Sequence, residues 1–478
     1  MEYINIITII LLTMILGWYL ITNLQWYNYQ IQRVVTKHHK KQWHLFYFIV
    51  PFTLYYFLDN AYFQIYFYII HLPAFLYWYM KLDRKLVFTM RVKRFLAILL
   101  FITLAVLVLC LSSQSCEKAG VLIPLLFTYA ITTALELIFL QRFKAQAKEK
   151  LKARKDLKVI AITASFGKTS IKNYLHQVLS EKFKTYMTPR SVNTINGLIK
   201  DVNVDLPNNI DIYIAEAGAR KVGDIATISK FLEPQYAIIG SVGEQHIEYF
   251  KTLDNIIYTK MELLESPRLA HGFVHDSVPI LDYDTITKFP NNLKVLKSDL
   301  DGIEFSIDIE EKTEIFKAPI LGSFNAINLC AVILMAHKLG MSIDQIKEAF
   351  YSLKAVDHRL QKIEAGGKII LDDSFNGNLE GMLEAVQISS THKGRKVIIT
   401  PGLVESTDEA NTTFAKAVDE TFDIVILTGS LNIDILSQNI SNDKIIILKD
   451  KANMEDILSE HTQAGDLILF ANDAPNFI

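Results

Sequence analysis

The sequence predicts a multi-pass α-helical membrane region followed by a soluble α/β part. Three observations carry this. Long apolar stretches crowd the first 140 residues, basic residues fall into alternate connections between them, and thereafter short β-branched runs alternate with helical periodicity. The chain has 478 residues, half of them hydrophobic, and a formal net charge of -2. That balance gives bulk electrostatic attraction to nucleic acid nothing to rest on. At ~100 to 200 residues per domain, roughly three domains are expected. The mean hydropathy of +0.22 places one of them outside the usual soluble range. The cysteines, Cys110, Cys116 and Cys330, have neither the density of a disulfide scaffold nor the paired spacing of a zinc site, and read as buried or membrane-embedded thiols.

Five stretches approach the ~20 apolar residues that a bilayer-spanning helix needs. They are Ile4 to Leu20, Trp43 to Leu58, Tyr62 to Met80, Phe95 to Leu111 and Val121 to Leu140. The first lacks a basic leading segment and a small-residue cleavage site, so it is expected to be retained. Lysine and arginine cluster between spans one and two (Arg33, Lys37, Lys40, Lys41), between three and four (Lys81, Arg84, Lys85, Arg91, Lys93, Arg94), and after span five (Arg142, Lys144, Lys148, Lys150, Lys152). Positive connections stay on the cytoplasmic side, so five spans of a bacterial cytoplasmic membrane put the N-terminus outside and everything after Leu140 in the cytoplasm. The aromatic residues from Tyr62 to Tyr79 suit an interfacial belt better than a sugar-binding surface, because amphipathic rings favour the headgroup level.

The expected division is a transmembrane region over 1–141, a basic helical linker over 142–156, a central domain over 157–354 and a C-terminal domain over 355–478. Strands are expected at Lys158–Thr163, Asp211–Ala215, Tyr236–Ile239, Lys368–Leu371, Lys396–Thr400, Ile424–Leu427, Lys444–Leu448 and Asp466–Phe470, with helices between most of them. Such alternation implies parallel sheets flanked by helices. A helical pair, Ala326 to Leu339 and Ser342 to Ser352, closes the central domain. The regular αβ series after Gly366 reads as a separate Rossmann-like domain.

The strongest local signal is KVIAITASFGKTSIKNYL, Lys158 to Leu175: a hydrophobic strand, a turn with Gly167, Lys168 and Thr169, then a helix. Amides at such a helix start cradle phosphate oxygens, the lysine reaches the β and γ phosphates, and the hydroxyl binds Mg²⁺. The central domain is therefore P-loop ATPase-like, with Ser165, Gly167, Lys168, Thr169 and Ser170 at the nucleotide. Downstream, IYIAEAGAR ends a buried strand on Glu216, where open α/β sheets bind ligands and a carboxylate can hold Mg²⁺.

Here the sequence resembles the Mur ligase family. The loop is similar to the family's TGxxGK[ST], with Ala164 in place of its first glycine. In SVGEQHIEYFKTLDNIIYTKMELLE, Lys260 follows His246 by fourteen residues, as in that family. LGSFNAINLCA resembles its GxHNxxN helix start, with Phe324 for histidine, and DHRLQKIEAGGKIILDDSFNGNLEGM resembles its arginine and DDSYNANPxSM loop. The DDS[YF]N form and the asparagine loop SVNTINGLIKDVN point to the branch that adds D-alanyl-D-alanine to UDP-N-acetylmuramoyl tripeptide. The resemblance covers roughly the last two thirds of the chain.

What the resemblance implies is ATP-dependent, ADP-forming amide ligation through an acyl phosphate. Lys168, Glu216, His246 and Lys260 would be catalytic, with Lys260 carbamoylated by CO₂. Two Mg²⁺ ions would be served by Thr169, Glu216, His246 and Lys260. ATP would also meet Asn325, Asn328, Arg359 and Asp373; Asn325 and Asn328 would contact adenine or cap their helix. The acceptor would meet Asn193, Asn196, Ser374 and Asn376. Membrane spans stand where the family carries a uridine-binding domain. Two alternatives follow: a ligase for a lipid-linked wall precursor, or a catalytically silent membrane scaffold for other wall-synthesis proteins. Dipeptide-dependent ATP consumption separates ligase from scaffold, and the acceptor used separates the two ligases.

Overall fold

A computed structural model describes the chain except residues 1, 83, 114–117, 119, 244–246, 280–283, 376, 405, 430, 449–452 and 473–478. It divides into two compact units, Met1–Phe143 and Lys144–Ile478.

Among the described residues three helices are long and apolar enough to cross a membrane: α1 (Glu2–Trp26) and α2 (Met90–Ser113), both in the first unit, and α3 (Leu122–Ala153), which begins there and ends in the second. Helix α1 approaches α2 closely at Gly17, where a Cβ would lie 2.1 Å from Leu99 Cδ2. Leu12, Leu16 and Tyr19 of α1 share a buried core with Phe95 and Leu99 of α2. Phe101, Val108 and Leu109 of α2 point away from that core and are exposed. The second and third expected spans are helical but broken into short pieces, because π-helical turns at Leu45–Ile49 and Phe67–His71 interrupt the α-helical ladder. Cys110 is disulfide-bonded, which corrects its reading as a free thiol: spacing that excludes a scaffold of disulfides does not exclude one bridge. Cys330 is the free, buried thiol expected.

Among the described residues the second unit holds three sheets. Strands β1 (Lys158–Thr163), β2 (Thr185–Met187), β3 (Ile212–Glu216), β4 (Tyr236–Ile239), β5 (His271–His275) and β6 (Ile286–Phe289) form a parallel sheet in the order β2-β3-β1-β4-β5-β6. β7 (Lys294–Asp299), β8 (Gly302–Ile309) and β9 (Lys312–Ala318) form an antiparallel one. β10 (Gln361–Ala365), β11 (Lys368–Asp373), β12 (Lys396–Thr400), β13 (Ile424–Thr428), β14 (Ile445–Leu448) and β15 (Leu467–Ala471) form the third, in the order β10-β11-β15-β12-β13-β14. Among the described strands of that sheet only β10 runs antiparallel.

The helices that matter to the site are α4 (Lys168–Ser180), α5 (Ile195–Lys200), α6 (Leu253–Met261), α7 (Phe324–Lys338), α8 (Ile343–Tyr351) and α9 (Leu379–Ser390). β1 is a continuous apolar run because both its faces are covered, as parallel sheets require. Ile160 and Ile162 pack with Ile171, Leu175 and Val178 of α4 and Leu329 and Val332 of α7. Helix α7 lacks a polar face because it sits inside that core. Helix α8 opens on a reciprocal capping box between Ser342 and Gln345, the sequence signature of a helix start. Packing fixes the ends of β1 and β3 side by side, Ile162 opposite Glu216 in register, and so sets the loops that follow them against each other.

Candidate active site

The loop after β1 runs Ala164 to Gly167 and turns into α4 on Gly167, whose φ is +81°. A Cβ there would stand 2.3 Å from Asn328 Oδ1, so conformation and crowding both demand glycine. Gly167→Ala is expected to weaken ATP binding by at least about tenfold, equivalent to roughly 1.4 kcal/mol, measurable by titration with a fluorescent ATP analogue. Ala164 does not share that demand: it is buried and its φ is not positive, so alanine in place of the family's glycine leaves this turn unstrained. Ser165 fixes the loop from the other side. Its N–H donates to Ser241 O (2.8 Å) and its hydroxyl to Gly243 O (2.9 Å).

Lys168 folds back over the loop, donating to Ala164 O at 2.7 Å and Ser165 O at 2.9 Å. Burial pulls its ammonium down to about 8, and Arg359 adds to that while Glu216 opposes it. Thr169 and Glu216 converge: the hydroxyl donates to Glu216 Oε2 at 3.0 Å. The other carboxylate oxygen accepts from Asn193 Nδ2 at 3.0 Å. Gly218 admits this asparagine, since a Cβ on it would lie 2.7 Å from Asn193 Cγ.

Lys260, on α6, is 4% exposed and has no ion-pair partner among the described residues. Burial lowers its pKa to about 7, with Lys168 lowering it further and Glu216 opposing. The structure thus brings Lys168, Thr169, Asn193, Glu216 and Lys260 to one place. His246 and Asn376 lie outside the described residues. Asn196 is exposed on α5, and Ser170 is buried on α4.

Asn325 and Asn328 are buried at the start of α7. Asn325 Nδ2 donates to Leu321 O (2.7 Å), and Asn328 Nδ2 to Asn325 Oδ1 (3.0 Å). Neither caps the helix. Glu384 of α9 does so, accepting from the N–H groups of Ser323 and Phe324, and the capping alternative for the asparagines is corrected accordingly.

Beside the third sheet, Arg359, just before β10, stacks over the ring of Phe375, just after β11, at 4.3 Å. Its guanidinium is held below its usual range by burial, against the opposing pull of Asp373 and Glu216. Asp373 accepts from Leu360 N–H at 3.1 Å, and burial pushes its carboxyl up to about 7 despite Arg359. Ser374 turns inward onto Asp372 (2.5 Å), which also bonds His358 Nδ1 at 2.7 Å.

Sequence reasoning missed Lys172, Glu384 and the His358–Asp372 pair. Lys172 had a signal. Two lysines one turn apart on a helix repel, unless an anion lies between or beside them.

Among the described residues no group of three His, Cys, Asp or Glu is arranged to hold a metal. The donor set that is present, a threonine hydroxyl and a glutamate carboxylate beside the Gly167–Lys168 turn, fits Mg²⁺. That ion keeps waters and takes one or two carboxylates together with substrate phosphates.

Residues 162–336 match the Mur ligase middle domain. The UDP-N-acetylmuramoyl-tripeptide--D-alanyl-D-alanine ligase of Bacillus subtilis (strain 168) is 26% identical over 337 residues, spanning 66% of this chain and 72% of that protein. The ligase of the same name from Escherichia coli (strain K12) is 26% identical over 272 residues, 52% of this chain and 58% of its own length. Among solved structures, MurF ligase from Thermotoga maritima in complex with ADP superposes with a TM-score of 0.59 at 22% identity, covering 70% of this chain and 80% of that one. A crystal structure of MurF from Acinetobacter baumannii gives 0.61 at 22%, covering 70% and 78%. These structural likenesses establish the α/β fold of the second unit.

Proposed function

We propose, from the premise that this chain is a MurF-like Mur ligase, that it joins D-alanyl-D-alanine to UDP-N-acetylmuramoyl tripeptide at the expense of ATP, with release of ADP and phosphate. The observation that carries the reading is the convergence of Lys168, Thr169, Glu216 and Lys260 around one phosphate-binding turn. The soluble part is taken as a central domain, 157–354, and a C-terminal domain, 355–478.

A free carboxylate is a poor electrophile. Transfer of the γ-phosphoryl group to the tripeptide carboxylate forms an acyl phosphate and ADP. Attack by the dipeptide amine then forms the amide, expels phosphate and releases one proton. The loop amides and Lys168 hold the phosphates and spread their charge, so catalysis is chiefly positioning and electrostatics. Thr169 and Glu216 would hold Mg²⁺, which supplies charge neutralisation at the phosphates. Asn325 and Asn328 would set the nucleotide against Gly167, while Arg359 reads phosphate through its planar fork and Asp373 accepts from ribose hydroxyls. Asn193, Asn196, Ser374 and Asn376 are assigned to the acceptor. His246 and carbamoylated Lys260 would serve a second ion.

The first unit is assigned to the bilayer, as a multi-pass anchor with the N-terminus outside and the catalytic unit in the cytoplasm. The outward apolar faces of α2 and α3, with Phe101, Val108, Leu126 and Phe127 exposed, support this. The full chain is expected to sediment with membranes at high salt and alkaline pH and to enter solution only with detergent; release by salt alone would contradict it. Such an anchor keeps a soluble-precursor enzyme beside the membrane step that consumes its product.

Mass spectrometry of the acceptor tests the reaction. The tripeptide should gain one D-alanyl-D-alanine only when ATP and Mg²⁺ are present. An unchanged acceptor, with the lipid-linked tripeptide extended instead, would favour a ligase for a lipid-linked precursor. Neither product would favour the scaffold.

A further inference from the structure

Lys172 has no part in the chemistry derived so far, yet it is one of the largest fully buried side chains of the protein. A lysine in that position must be held by partners that compensate its charge. Its ammonium lies 3.3 Å from Glu216 Oε2 and donates to the carbonyl of Arg190, a residue in the left-handed region at φ +48°. The carboxylate of Asp201 is also near enough to act on Lys172, and is itself held by Tyr186 (2.7 Å) and Tyr213 (2.6 Å).

These contacts join two parts of the site. Glu216 ends β3 and faces Thr169. Arg190 and Asn193 belong to the loop between β2 and α5, which the ligase reading gives to the acceptor. That loop meets Glu216 by two routes. Asn193 donates to Oε1 directly and also receives Gly218 N–H on its carbonyl at 2.8 Å, whereas Lys172 bridges Arg190 to Oε2. Thr169 and Lys172 approach the same carboxylate oxygen from one helix, one turn apart.

We propose that Lys172 is a positioning residue that ties the acceptor-side loop to the Glu216 carboxylate, so that acceptor binding and the orientation of that carboxylate are set together. This rests on the ligase reading. A purely structural ion pair would lower stability when broken and weaken every ligand alike. A coupling residue weakens the acceptor selectively, because the ATP loop is held by separate bonds from Ser165 to Ser241 and Gly243.

The test uses the detergent-solubilised full chain as wild type, Lys172→Met and Lys172→Arg. Three quantities are read: affinity for a fluorescent ATP analogue without acceptor, KM and kcat for UDP-N-acetylmuramoyl tripeptide, and calorimetric binding of that acceptor. In Lys172→Met the acceptor KM and dissociation constant should rise about tenfold or more while ATP affinity changes by less than about twofold. Lys172→Arg, which keeps the charge, should recover part of the loss. If Lys172→Met does not fold, Lys172→Arg alone should still show the selective shift, of about threefold. An unchanged acceptor constant in a folded variant, parallel loss of ATP and acceptor, or failure of both variants to fold overturns the proposal. Wild-type turnover and acceptor binding test the ligase reading separately: a wild type that neither binds nor extends the tripeptide sinks that reading and this inference with it.

Discussion

Lys168→Ala should lower kcat/KM for ATP-dependent ligation about a thousandfold, roughly 4 kcal/mol of transition-state stabilisation, while leaving the thermal midpoint close to that of the wild type. Among the described residues the lysine's hydrogen bonds stay within its own loop, on Ala164 O and Ser165 O. Its ammonium is buried, which draws it down to about 8 in the absence of phosphate. A bound triphosphate gives it the anion it lacks and raises that pKa again, so the interaction is strongest where negative charge is greatest. Stopped-flow or coupled measurement of ADP release checks the rate, and a thermal scan checks the fold. A variant with wild-type turnover would remove this loop from the chemistry.

The second large effect concerns Lys260. Lys260→Arg should reduce turnover about a hundredfold or more, and depleting CO₂ from the buffer should reduce wild-type turnover reversibly without affecting the variant. The reason is chemical. CO₂ adds only to a free amine, and burial together with Lys168 brings Lys260 to about 7, so a large fraction is uncharged at neutral pH. A carbamate at this position would also reverse the sign of its interaction with Lys168, turning repulsion into attraction.

The same shift has a stability consequence. The folded pKa of about 7 lies below the ordinary lysine value of 10.5, so between these values the unfolded chain binds more protons than the folded one. Stability therefore rises with pH across that window and bears the full cost of a buried ammonium below it. Thermal midpoints at pH 6.5 and pH 9 should show a larger rise for the wild type than for Lys260→Met in CO₂-free buffer. Equal rises would place Lys260 in contact with solvent.

Much of this was legible in the sequence, because the signals were local. The strand at Lys158–Thr163 has the bounds that its short, largely β-branched apolar run, Val159 to Ile162, implied. Tyr236–Ile239 and Lys396–Thr400 follow for the same reason. The edge strand Thr185–Met187 and the antiparallel sheet over 294–318 were not read, because half-exposed strands such as KVLKSD carry no continuous apolar run. β10 was missed because its burial is partial, although its hairpin with β11 turns on Gly366 and Gly367, a local signal that was there to be read.

At the candidate site, spacing singled out residues but carried nothing of their relations. The sequence placed Glu216 near a metal, yet nothing local revealed that Lys172 and Asn193 hold its two oxygens, since they come from a helix and a loop far apart in the chain. Glu384 caps α7 from another sheet's helix, a contact that only tertiary packing creates. In the first unit, hydropathy found the apolar stretches but carries no signal for the π-helical turns in the second and third.

The measurement that bears most directly on the central claim is phosphate release by the detergent-solubilised chain with ATP, Mg²⁺, UDP-N-acetylmuramoyl tripeptide and D-alanyl-D-alanine, each omitted in turn. Release that needs all four, and falls to background in Lys168→Ala, is the expected result. Release indifferent to acceptor and dipeptide, or none at all under conditions where the chain binds ATP, would contradict it.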